Sequence, residues 1–204
     1  MLFVLLFIRA CVPSEHDREM RAWKEQANQA LEQPLDVGEE IAPSRPVEMR
    51  VPSLDMTAEF DDADCRVEGG AVVPSSADRA CAFTVDDRPY VLPGTSSSDI
   101  VVLAGDGGGA GAFRSLSDER SLTPGTSMYL KTRESGDRWL KYQVTDLHDP
   151  YEGALPDTAD IWGNVPMPGR LLTIARTGGT GSSGGDVSFA VVGWQLQGVV
   201  DQLE

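Results

Sequence analysis

The hydrophobic pattern changes its period twice along the chain. Residues 2–8 form an uninterrupted apolar run, Leu2-Phe-Val-Leu-Leu-Phe-Ile8, which Arg9 ends. Seven residues cannot span a bilayer, which takes about twenty. No basic stretch precedes them as it would in a signal peptide, and Arg9 ahead of Cys11 spoils a lipoprotein-type cleavage site. The run reads as the end of a longer membrane helix or as a weak anchor by itself; the first is expected, with residues 1–12 as a membrane-proximal apolar segment. The period then becomes helical. Ser14-Glu-His-Asp17 is a helix start with Ser14 as N-cap and Asp17 at the capping-box position. Met20, Trp23, Ala27, Ala30 and Leu31 recur at helical spacing until Pro34 stops the run. An acidic, Pro-rich stretch follows, so residues 13–45 are expected to form a juxtamembrane helix and a linker.

From Pro46 the period is two. Val47–Val51 alternates until Pro52, Leu54–Met56 restarts the alternation, and Val67–Val73 and Ala82–Val85 are further short candidates. The continuous run Asp99-Ile-Val-Val-Leu-Ala-Gly105 predicts a central strand buried on both faces. Ala110–Leu116 suits a short helical turn. Ser127–Thr132 and Arg138–Asp146, joined by Glu134-Ser-Gly-Asp137, predict a hairpin. Leu171–Ala175 and Val187–Leu196 supply two last strands around a Gly/Ser-rich loop at 178–185. The fold class is therefore mainly β: about eight short strands with few helices, closed or nearly closed into one barrel over residues 46–199.

Composition narrows the function. Twenty-one glycines and thirteen prolines in 204 residues suit many strands and turns, and 41% apolar residues suffice for a core. The net charge of −15 argues against nucleic acid and against attraction to an anionic membrane surface. With three cysteines, two histidines and no metal-ligand spacing, neither a metal nor a cofactor is expected. Cys65 and Cys81 bracket fifteen residues. In an oxidising compartment they would close a disulfide worth about 3 kcal/mol; otherwise they are buried free thiols.

Five local strings, in order, resemble the sortases, in particular their actinobacterial class with a compact barrel and an N-terminal membrane anchor. Pro46-Val-Glu-Met-Arg-Val-Pro-Ser-Leu-Asp55 resembles the first barrel strand. Ile100-Val-Val-Leu-Ala-Gly105 resembles the "VxLAGH" strand that delivers the catalytic histidine. Phe113-Arg-Ser-Leu116 with Leu122-Thr-Pro-Gly125 resembles the connection after it. Leu171-Leu-Thr-Ile-Ala-Arg-Thr-Gly-Gly179 resembles the strand end that holds the nucleophilic cysteine, and Val187-Ser-Phe-Ala-Val-Val-Gly193 the strand that carries the arginine. The resemblance implies a sortase-like barrel, an extracytoplasmic location and a tether in the cell membrane. It also implies three catalytic positions, and all three depart from the pattern. Asp106 stands for the histidine, Thr177 for the cysteine (Arg176 after a slip of one residue), and Ser188 for the arginine.

These departures remove the chemistry. Transpeptidation of this kind needs a thiolate nucleophile, an imidazolium acid and a guanidinium at the oxyanion. A threonine hydroxyl without a base, a carboxylate and a serine supply none of them. Other residues offer little. His148, between Asp146 and Asp149, reads as a solvated turn residue. Ser182 and Ser183 lack a nucleophile-elbow string, and Asp106-Gly-Gly-Gly-Ala-Gly111 lacks the Lys-Ser/Thr ending of a phosphate loop. Tyr151 and Trp162 flank the long connection before Leu171, where they anchor a partner or pin the loop to the barrel. The expectation is a catalytically inactive sortase-like domain, acting as a binding or assembly subunit beside another membrane or cell-envelope protein. The alternatives are an enzyme with a relocated site and an unrelated barrel in which Asp106, Thr177 and Ser188 do not converge.

Overall fold

The computed structural model describes residues 14–31, 40–68, 71–84, 91–118, 121–149, 159–163, 165–177 and 188–204. In chain order the strands are β1 (Pro46–Val51), β2 (Met56–Glu59), β3 (Arg66–Glu68), β4 (Ala71–Val73), β5 (Cys81–Ala82), β6 (Val101–Asp106), β7 (Ser127–Thr132), β8 (Trp139–His148), β9 (Arg170–Thr177) and β10 (Ser188–Val200). Helix α1 (Glu15–Ala30) precedes them and α2 (Ala159–Trp162) lies between β8 and β9. Eight strands form one curled sheet in the order β2-β1-β7-β8-β10-β9-β6-β5. Its two edges meet through the Phe60–Ala80 bridge, so the barrel is only just closed.

Local chemistry explains most element limits. Pro52 ends β1 in a 3₁₀ turn, Pro52–Leu54, and Asp55 takes a left-handed backbone at φ 47°. Alternation therefore restarts at Met56 and not at Leu54. The stretch Val67–Val73, which reads as one strand, is a hairpin of β3 and β4 standing apart from the large sheet. Gly69-Gly70 separates its two arms in the sequence. Val85 lies outside the described residues, and β10 runs four residues beyond the expected Leu196.

Helix α1 begins where the pattern places it. Ser14 Oγ accepts from Asp17 N at 3.0 Å, and Asp17 Oδ2 accepts from Ser14 N at 3.0 Å. Hydrogen bonding from the Ser14 hydroxyl, and then from the Ser14 amide, holds the Asp17 carboxyl below the usual carboxylate range. Ala27 is fully buried, and Met20 and Trp23 pack against the barrel core. Trp23 Nε1 donates to the Leu122 carbonyl at 3.4 Å. The stretch before β1 is packed too: Ile41 is buried, and its amide donates to Thr95 Oγ1 at 2.8 Å. Described residues on both sides of 32–39, in α1 and at 41–45, thus pack against the strands. The apolar segment 1–12 lies outside the described residues, among which no helix is long and apolar enough to cross a membrane.

Two cores result. The barrel interior holds Met49, Val51, Leu103, Phe113, Leu130, Leu140 and Trp194. A second cluster lies on the opposite face of β6, β9 and β10, with Val102, Ala104, Leu172, Ile174, Phe189 and Val191 on the sheet and Ile161 above it. Cys65 and Cys81 are joined in a disulfide within this second cluster. Replacing both cysteines by serine, or reducing the wild-type protein, is expected to lower stability by about 3 kcal/mol through the regained loop entropy of the unfolded chain. The shift of the denaturant midpoint measures it.

Candidate functional site

Strand β9 is paired on both sides, parallel to β6 and antiparallel to β10, without a register shift in either pairing. Successive side chains therefore alternate strictly between the two cores. Leu171 and Ala175 enter the barrel interior, Leu172 and Ile174 the second cluster. The same parity carries Arg176 to the second face and Thr177 to the interior face. On β6 the interior face at residue 105 is filled by Phe113: a Cβ there would stand 2.5 Å from Phe113 Cγ. Asp106 consequently points to the second face, directly beside Arg176 in the register.

All the positions marked by the sequence lie at one end of these three strands, but in two groups. Asp106 and Arg176 are neighbours on the second face. Thr177 and Ser188 are neighbours on the reverse face, with their hydroxyl oxygens 2.7 Å apart. Thr177 Oγ1 also donates to the Ser188 carbonyl at 3.1 Å. The Asp106 carboxylate is engaged by its own turn, where Oδ1 accepts from Gly108 N at 2.7 Å. The Arg176 Nε is buried without a hydrogen-bond partner among the described residues. The arrangement offers a guanidinium and a carboxylate on one face, two hydroxyls bonded to each other on the other, and, among the described residues, no thiol on either. Cys81 and Cys65, the described cysteines, are bonded to each other.

The same second face holds a buried charge cluster that pattern reading passes over. Asp146 Oδ1 and Oδ2 accept from the two terminal nitrogens of Arg170, at 3.0 and 2.9 Å. Thr145 Oγ1 donates to Oδ1 at 2.5 Å, and His148 Nε2 lies 2.7 Å from Oδ2. Asp146 and Arg170 are 2% and 7% exposed. Burial by itself would raise the Asp146 carboxyl. The His148 and Arg170 hydrogen bonds, the Arg170 charge and the Thr145 hydroxyl outweigh it and hold the group far below the usual range.

Local backbone geometry builds this cluster. Gly193 on β10 lies between Asp146 on β8 and Leu172 on β9. A Cβ on Gly193 would come within 2.4 Å of Asp146 Oδ1, so the missing side chain is what lets the carboxylate cross β10 to reach Arg170. Beside it β8 carries one extra residue, Thr145, opposite the Gly193–Trp194 step. This bulge turns Asp146 and His148 from the interior parity to the second face. His148 is therefore not a solvated turn residue: it ends a strand, with its side chain 20% exposed and bound to Asp146. The signal was legible only as Asp-x-His at strand spacing; Arg170 carried none.

The remaining candidates are placed as follows. Trp162 is half-buried and packs with Met167 against the second cluster, next to fully buried Ile161. Tyr151, Ser182 and Ser183 lie outside the described residues. His148 lines a surface cavity of about 360 Å³ between α1 and β8, with Asp17, Met20, Arg21, Lys24, Asp146 and Leu147 as the other lining residues. Among the described residues, no three His, Cys, Asp or Glu side chains converge as a metal site.

Comparison of the sequence with protein-family models and with curated proteins finds no match. Solved structures that match this chain include sortases. Sortase A of Listeria monocytogenes is 15% identical over 80% of this chain and 92% of its own, at a TM-score of 0.47. Sortase C-1 of Actinomyces oris is 20% identical over 87% and 97%, also at 0.47. Sortase E1 of Streptomyces coelicolor, solved with a tripeptide in its active site, is 14% identical over 76% and 91%, at 0.43. Likeness at this level concerns the layout of the chain, not its chemistry.

Two outcomes follow from the charge cluster. Asp146→Asn is expected to destabilise the protein by about 3–5 kcal/mol, because it leaves the Arg170 charge buried without its counter-ion. The Asp146 contribution is complete above the unfolded-state value near pH 4 and is lost as pH falls below it, because the folded-state value is depressed. Denaturation curves of wild type and variant should therefore draw together on acidification. Gly193→Ala is expected to cost about 1–3 kcal/mol in the wild-type background and clearly less beside Asp146→Ala. A double-mutant cycle in urea measures that coupling.

Proposed function

We propose that this chain is a sortase-like domain that has lost transpeptidase chemistry and serves as a binding or assembly subunit of a cell-envelope protein complex. In this reading the domain is extracytoplasmic and is tethered to the cell membrane through its N-terminal apolar segment. Another membrane or envelope protein is its partner. The observation that carries the reading is the content of the common strand end, where Asp106, Arg176, Thr177 and Ser188 stand at the positions that three of the five sequence strings mark.

None of these groups replaces a thiolate. The Thr177 hydroxyl is bonded to Ser188 on the face away from Asp106, with no base beside it among the described residues. Asp106 serves its own turn. Loss of one oxyanion donor alone typically costs two to three orders of magnitude in rate, and here the nucleophile and the acid are replaced as well. A relocated site would need a nucleophile within reach of a base. His148 is the histidine set against a carboxylate, and the cavity it lines contains no Ser, Thr or Cys among the described residues.

The test is a transpeptidation assay. The full chain, incubated with sorting-type peptides and an amine nucleophile, is expected to yield no cleaved or ligated product by mass spectrometry, at any pH from 5 to 9. Turnover above the enzyme-free control would overturn the reading. So would loss of such turnover on Thr177→Ala, which would assign the threonine as a nucleophile.

A further inference from the structure

Helix α1 sets three charged residues on one ridge. Asp17, Arg21 and Lys24 follow one another at i, i+4 and i+7, beside the Met20 and Trp23 side chains that pack on the barrel. That packing fixes how the ridge is presented. It lines the cavity of about 360 Å³ opposite Asp146, Leu147 and His148, a volume within the range of small-ligand sites. Arg21 acts on Asp17 through its charge, but among the described residues neither Arg21 nor Lys24 forms a salt bridge.

The two carboxylates at the cavity are already engaged. Asp17 is bonded to Ser14 through two hydrogen bonds, and Asp146 is bonded to both terminal nitrogens of Arg170. Arg21, Lys24 and Arg170 stand against Asp17 and Asp146, so the cations exceed the carboxylates by one. In a chain of net charge −15 this is a local reversal of sign. His148 adds to it. Its Nε2 is held by Asp146 Oδ2 at 2.7 Å, and among the described residues its Nδ1 has no hydrogen-bond partner. With Nε2–H donated to the carboxylate, Nδ1 takes the next proton and presents it to a ligand.

We propose that this cavity binds a phosphate group through Arg21, Lys24 and the Nδ1 side of His148. Three cationic donors arriving from a helix and a strand suit a tetrahedral group with several acceptor oxygens better than a planar carboxylate with two. Binding is coupled to protonation of His148, because the imidazolium adds both a donor and a charge. The groups that face His148 are Asp17, Arg21 and Lys24 on α1, Asp146 on its own strand, and Arg170 on β9 behind Asp146. Its neighbour on β10, Val191, carries no charge, and Asp149 follows it without lining the cavity. Asp17 and Asp146 are both held below the usual carboxylate range, so neither titrates above about pH 5. The site uses none of the residues at the β6–β9 strand end, and its test reads binding alone.

The soluble probe is glycerophosphoglycerol, a phosphodiester whose charge is constant from pH 5.5 to 8, titrated into the full chain by calorimetry at fixed ionic strength. Arg21→Gln and Lys24→Gln are each expected to weaken binding about tenfold. Arg66→Gln, on the exposed β3 strand, should leave it unchanged. Both helix positions are exposed and glutamine is a good helix former, so these variants keep the fold. Wild-type affinity should fall about tenfold between pH 5.5 and 8, and His148→Gln should remove that dependence. Vesicles of phosphatidylglycerol, compared with phosphatidylcholine, distinguish the source of the phosphate. Excess cosedimentation that Arg21→Gln abolishes assigns the site to a lipid headgroup; binding of the soluble diester without it assigns a soluble phosphoester. Binding to neither probe, or affinities unchanged in both helix variants, would overturn the proposal. So would equal weakening by Arg66→Gln, or a pH dependence that survives His148→Gln.

Discussion

Strands β9 and β10 are buried on both faces, and their unshifted pairing with each other sorts every one of their side chains into one core or the other. The parallel partner β6 obeys the same sorting. A slip of one residue in either pairing would exchange the two clusters wholesale, carrying Leu172 and Ile174 inward and Leu171 and Ala175 outward. Register is therefore held by two hydrophobic cores at once. The identity and facing of the residues at the strand ends follow from it. Asp106 meets Arg176 because Ala104 meets Ile174, and Thr177 meets Ser188 because Ala175 meets Ala190.

Where the sheet accepts charge, it does so by breaking its own regularity. Asp146 reaches Arg170 across β10 only because residue 193 is glycine, and it faces the right way only because Thr145 is extra in β8. The pair is rigid: both partners sit on strands, both are buried, and the geometry is bidentate. Lys141 is the contrasting case. It is buried on β8, and one of its partners is Glu204, whose side chain is 70% exposed.

Much of the architecture was legible in the chain. The Ser14–Asp17 capping box, the proline that ends β1, the central run of β6, the β7–β8 hairpin and the existence of β9 and β10 all follow from signals spanning a few residues. The Cys65–Cys81 pair was legible only as two alternatives, which the structure resolves into a disulfide. The position that the resemblance gives to the nucleophilic cysteine was likewise open between Thr177 and Arg176. In space the two face opposite ways, and Arg176 is the one that shares a face with Asp106.

What the sequence determined by itself, then, is the set of elements and their approximate limits, because capping, turn chemistry and period-two burial act within one strand or one helical turn. The tertiary structure alone decided which residues meet. The parity of Thr177 and Arg176, the bulge at Thr145, the passage of Asp146 over Gly193 and the seating of Glu204 on Lys141 each depend on a partner distant in sequence. Such pairings are settled by which faces become buried together and which charges are neutralised there, and no local pattern records either.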